Sequence, residues 1–182
     1  MRIPIKSLFL CLLMVILVSG LAFGLVAAQN PPMTDAQIGR IRSSCFSAKN
    51  TLNQLHASDA LLRVNRGQIY ESMSTKLMLR FDSRADSNHL DSKVLTSVAS
   101  SYASAITTFR EDYKNYEVQL ANSLAIDCLK EPVSFYDAIA TARTKRSLAH
   151  ADVVKLNGEI DNYKAALDSF ETNFKKFSGV NQ

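Results

Sequence analysis

His56, Asp59, Glu117, Arg146 and His150 are the side chains best suited to chemistry, and each falls in the middle of a long stretch free of proline. Two imidazoles with two carboxylates form a plausible ligand set for a divalent metal, and the same groups can exchange protons near neutral pH. A metal-dependent enzyme is therefore one reading. The spacing speaks against it, because the chain contains no Glu-x-x-His pair and no His-Glu-x-x-His. The competing reading is a polar core layer. Asp59 and Arg146 interrupt apolar stripes, and a buried Asp–Arg pair fixes helix order and register as polar residues do in coiled coils. The chain also lacks a phosphate-cradling glycine loop, a Gly-x-Ser-x-Gly, a Cys-x-x-Cys and an EF-hand loop. No catalytic residue, cofactor or resident metal is expected.

Cys45 and Cys128 carry the second kind of chemistry. The third cysteine, Cys11, lies in an apolar N-terminal run. An even count in an exported chain predicts one disulfide, with two buried free thiols as the alternative. The bridge would close a loop of 83 residues, for which the chain-entropy model gives roughly 4.5 kcal/mol.

Helices must position these groups. Thr34-x-x-Gln37 has capping-box spacing. No proline occurs between residues 33 and 131, and none follows Pro132. Ile38, Ile41, Cys45, Ala48, Leu52, Leu55, Leu62, Ile69 and Met73 form a first apolar stripe, with Asp59 and Arg66 as its polar members. Leu95, Val98, Tyr102, Ile106, Phe109, Tyr113, Tyr116, Leu120 and Leu124 form a second. A third runs through Ile139, Ala142, Arg146, Ala149, Val153, Leu156, Ile160, Tyr163, Leu167, Phe170, Phe174 and Phe177. The pattern predicts an all-α fold over residues 34–178, an elongated antiparallel three-helix bundle of coiled-coil character. Its helices span about residues 34–84, 90–127 and 133–177. Lys130-Glu131-Pro132 is expected to end the second helix, Ser134-x-x-Asp137 to cap the third, and Ser178-Gly179 to stop it.

With the first turn centred near residue 87, Cys45 lies 42 positions before it and Cys128 lies 41 after it. The two thiols are then level. The same register puts Asp59 beside Lys114 and residues 149–150, and Arg146 beside His56 and Glu117. His56, Asp59, Tyr113, Glu117, Arg146 and His150 fall within two turns, about 11 Å. Arg63-Val64-Asn65-Arg66-Gly67-Gln68 places two arginines and a glycine within a helix. A solvated basic patch and a kink or close approach by a partner are both consistent with it.

Residues 8–28 carry no charge and follow Arg2 and Lys6. They read as an export helix with its positive end in the cytoplasm. Val26-Ala27-Ala28 fits a signal-peptide cleavage site, and the same run is long enough for a membrane anchor. Either fate places residues 29–33, a linker, and the bundle outside the cytoplasm. Without Arg2 and Lys6 the formal charge of +4 falls to about +2, too little to argue for nucleic acid.

The expected function is a non-enzymatic helical-bundle protein of the envelope or a secreted factor. It would act by interaction with an unknown protein or envelope component, and be tied to the membrane through residues 8–28 if uncleaved. An exported holdase-type chaperone is the alternative, and a metal-dependent enzyme using the mid-bundle cluster ranks below both. Oligomeric state is open.

Overall fold

The computed structural model describes residues 32–179. The expected export segment at residues 1–28 and the part of the expected linker up to residue 31 lie outside the described residues. The fold is all-helical, with three long helical stretches packed into a bundle and no strand among the described residues. The first stretch is α1 (Asp35–Ser72), a π-helical segment (Met73–Met78) and α2 (Leu79–Ser87). The second is α3 (Lys93–Ala125) and the third α4 (Pro132–Ser178). None of the described helices is long and apolar enough to cross a membrane.

Local chemistry explains the ends. At the start of α1 the backbone N–H of Gln37 donates to the Thr34 hydroxyl, and the Thr34 N–H donates to Gln37 Oε1 at 2.8 Å. Two orphan donors are thus satisfied by one capping box. α2 ends with the Leu90 N–H on the Ala85 carbonyl and the His89 N–H on the Asp86 carbonyl, both 2.9 Å. These are the two bonds of a Schellman closure, and His89 occupies the left-handed position that glycine usually takes, with φ 56°. α4 ends at Gly179, also left-handed at φ 70°, as expected.

Two termini differ from expectation. α3 stops at Ala125, where Ile126 turns extended and the Asp127 carboxylate accepts from the Leu129 N–H at 3.0 Å. That aspartate turn, not Pro132, ends the helix. Pro132 instead opens α4 as its first residue, so Ser134 lies inside the helix and caps nothing.

The core is built on α3, whose Leu95, Tyr102, Ile106, Phe109, Tyr113, Tyr116 and Leu120 are all buried. α3 and α4 form the closest pair. Small buried residues, Ala99, Ala105, Ala142 and Ala149, let the two backbones approach. At the other end of α1, Cys45 and Cys128 come within disulfide distance, their Cα atoms 5.7 Å apart. They pack with Phe135, Ile41 and Leu52 in a small separate core. The Arg42 Nε donates to the Leu129 carbonyl at 3.1 Å and ties the same corner.

The first stripe holds only in its N-terminal half. Leu62 and Ile69, expected inside, are exposed. Beyond Asp59 the track passes the exposed Arg63, whose guanidinium lies over the Tyr113 ring, and runs inward through Gly67, Tyr70, Ser74, Met78, Asp82 and Ala85. It covers 26 positions in seven steps, a period of about 3.7 rather than the heptad's 3.5, and so drifts off the expected series. The π-helical segment contributes directly, because i→i+5 bonding takes in one additional residue. Its flanking carbonyls find donors on other helices: the Tyr102 hydroxyl on α3 donates to the Tyr70 carbonyl at 3.3 Å, and that of Tyr163 on α4 reaches the Met78 carbonyl at 3.4 Å. Phe174 and Phe177, expected on the third stripe, are also exposed. α4 has 47 residues against 33 in α3, so its last turns outrun their neighbour.

Candidate functional site

Asp59 sits on α1 where the stripe turns polar and is 8% exposed. Its neighbours are aromatic, and an ionised carboxylate there must find partners. Arg146 on α4 supplies two bonds, Nε to Oδ2 at 2.8 Å and Nη2 to Oδ1 at 3.1 Å. The Tyr116 hydroxyl on α3 donates to Oδ2 at 2.7 Å. One residue from each long helical stretch thus meets at one carboxylate. Burial alone would raise the Asp59 carboxyl pKa. The bonds from Arg146 and Tyr116 and the nearby positive charge outweigh burial and hold it below the usual carboxylate range. The same bond raises Arg146 further, and burial with the Asp59 bond pushes the Tyr116 phenol well above its ordinary value.

The other three residues of the expected layer stand around this core without joining it. His56 is half-buried near Asp59. Glu117 is half-buried, and its negative charge is felt at Tyr113. His150 is exposed on α4 beside Arg146. No side-chain hydrogen bond to another described residue is made by His56, Glu117 or His150. Among the described residues no group of three His, Cys, Asp or Glu side chains is placed to hold a metal ion.

Composition and spacing missed two members of this region. Tyr116 was legible only as a core aromatic, yet its hydroxyl completes the layer. The available signal was its type, since a buried tyrosine needs a partner for its O–H. Arg63 belongs to the basic run of residues 63–68, and its guanidinium lies 5.2 Å from the centre of the Tyr113 ring. A groove of about 290 Å³ opens here between α1 and α4, over the aromatic face of α3. Tyr113 lines it, is 6% exposed, and its hydroxyl has no partner. Burial, with Glu117 and Asp59 nearby, pushes that phenol up to about 12.

A second polar pair was not anticipated. The Tyr163 hydroxyl donates to Asp82 Oδ1 at 2.8 Å, both residues being buried. Asp82 lies near the expected end of the first helix, and α2 carries it inward and continues to Ser87. The geometry of both layers suits rigid specification of helix order. Comparison with protein-family models, curated proteins and solved structures finds no match to the chain.

Proposed function

We propose that the chain is a non-catalytic helical-bundle protein that works outside the cytoplasm, at the envelope or as a secreted factor, by contact with another protein. On this reading the bundle is elongated and antiparallel. It is delivered by residues 1–28, which are removed near Ala28 or kept as a single membrane helix. The level cysteine pair supports export, since such bridges persist in oxidising compartments.

The observation that carries the contact reading is the surface beside the turn at residues 88–92. A groove of about 1010 Å³ lies there between the start of α3 and the last turns of α4. Leu90, Val94, Ala166, Phe170 and Phe174 line it, and Phe177 at its rim is 93% exposed. A patch of this kind on a bundle whose other large aromatics are mostly buried supports the reading of an interaction site. Its depth and apolar walls suit an apolar segment of a partner protein.

The experiment is photocrosslinking in the native host with a reactive residue at position 177, and at exposed Ser101 as control. One discrete adduct from position 177, absent from position 101 and abolished by Val94→Asp, supports the proposal. No adduct, or equal adducts from both positions, overturns it. The same patch also suits a holdase-type chaperone. A broad ladder of adducts, together with suppression of client aggregation by purified protein, would favour that reading over a dedicated partner.

A further inference from the structure

We infer that the groove between α1 and α4 at the level of Asp59 is a binding site for a small monocarboxylate with an apolar body. The inference stands apart from the contact surface at the turn, which involves other residues. Three observations converge on it.

The first is Tyr113, which lines the groove and whose hydroxyl is buried behind that wall without a partner. A buried donor without an acceptor costs free energy that a ligand oxygen would recover. The phenol is held protonated through the neutral range, so it is a donor and not an acceptor of charge.

The second is charge. Arg63 and Arg66 lie three residues apart on one face of α1, and both line the groove. Neither has a carboxylate partner among the described residues. Arg146, by contrast, is already committed to Asp59. The groove therefore has two cations and a neutral O–H donor in want of an anion. A carboxylate accepts from arginine in fork geometry and takes a third bond from a phenol. A divalent cation has no place here, because the one carboxylate in the wall is fully engaged.

The third is the apolar lining. Leu62 is 48% exposed although it belongs to the first apolar stripe, and it faces the groove with Phe109, Ala149 and Val153. A ligand chain lying there would cover Leu62 and complete the stripe that the helix leaves open. The groove, at about 290 Å³, stands at the small end of ligand sites and so sets the ligand's size. A chain of about eight carbons is the appropriate scale.

The test is calorimetric titration at pH 7 of the protein as its host exports it. Sodium octanoate is the probe, with acetate (the charge without the body) and 1-octanol (the body without the charge) as controls. We expect saturable one-to-one binding of octanoate, and no saturable binding of acetate or octanol. Arg66→Gln, at an exposed position, should weaken octanoate at least tenfold. Tyr113→Phe should weaken it severalfold while raising the melting temperature of the unliganded protein, because it removes the orphaned hydroxyl. Lys76→Gln, away from the groove, should change neither. Absence of saturable octanoate binding overturns the inference. So does binding that Arg66→Gln and Tyr113→Phe leave unchanged, or octanol binding as tightly as octanoate.

Discussion

Tyr163 on α4 donates its phenolic proton to Asp82 on α2 at 2.8 Å, while the second carboxyl oxygen of Asp82 is buried with no partner. Burial raises the Asp82 carboxyl above its ordinary value of 3.8, and the bond from Tyr163 offsets only part of that rise. The native state therefore holds a proton that the unfolded chain releases between 3.8 and the raised native value. Stability falls as pH rises through that window and stays lower above it. Asp82→Asn keeps an oxygen for Tyr163 and removes the charge. It should stabilise the protein at pH 7 by roughly 1 kcal/mol and flatten the dependence of melting temperature on pH above 4. Chemical denaturation of both proteins from pH 4 to 8 checks this, and an unchanged slope would refute it.

Asp59 has the opposite sign. Its native carboxyl lies below the unfolded value, so the stabilisation from Arg146 and Tyr116 is complete above about 4 and is lost as pH falls below it. Arg146→Met leaves a buried carboxylate with Tyr116 alone. The loss should be about 2 kcal/mol at pH 7, discounted from a fully buried pair because half of the Arg146 side chain faces water. Asp59→Leu combined with Arg146→Met should recover most of it. A double-mutant cycle by urea denaturation gives the coupling, and a coupling near zero would show that the pair does not hold the layer together.

Cys45 and Cys128 bring together the ends of a loop of 83 residues. Replacing both by Ala should lower stability by roughly 4.5 kcal/mol on the chain-entropy model. Reductant should lower the wild-type midpoint and leave the double variant unmoved. Free thiols in exported protein would contradict the bridge outright.

His89 adopts a conformation that costs an L side chain about 1 kcal/mol. His89→Gly should therefore raise the melting temperature by a few degrees with no change in helix content. Circular dichroism melts of the two proteins measure both quantities. A lower melting temperature would mean that the His89 side chain contributes more than its backbone costs.

The second stripe was fully legible because α3 is regular and central, and each of its expected members is buried or half-buried. Asp59 and Arg146 could be paired from sequence because both interrupt apolar stripes at compatible levels. Leu62 and Ile69 could not be placed outside, because their exposure follows from a track with a 3.7-residue period that hydropathy does not announce. Nothing in Met73-Ser74-Thr75-Lys76-Leu77-Met78 signals π-helical geometry; the tyrosines that support it lie on other helices. Phe174 and Phe177 were misplaced for a different reason. Their spacing is perfect, but among the described residues only the rim of a groove by Leu90 and Val94 stands beside them, and both remain exposed.

The π-helical segment makes α1 and α2 behave like the two scales of a vernier. One continuous helical rail presents one phase to its neighbours before residue 73 and another after residue 78. Deleting a single residue there would rotate everything downstream by about 100°, turning Asp82 and Ala85 away from α3 and α4 while leaving Cys45 and Asp59 seated. Two layers that share one covalent rail can thus be tuned separately, and a one-residue change in its middle moves one of them without touching the other.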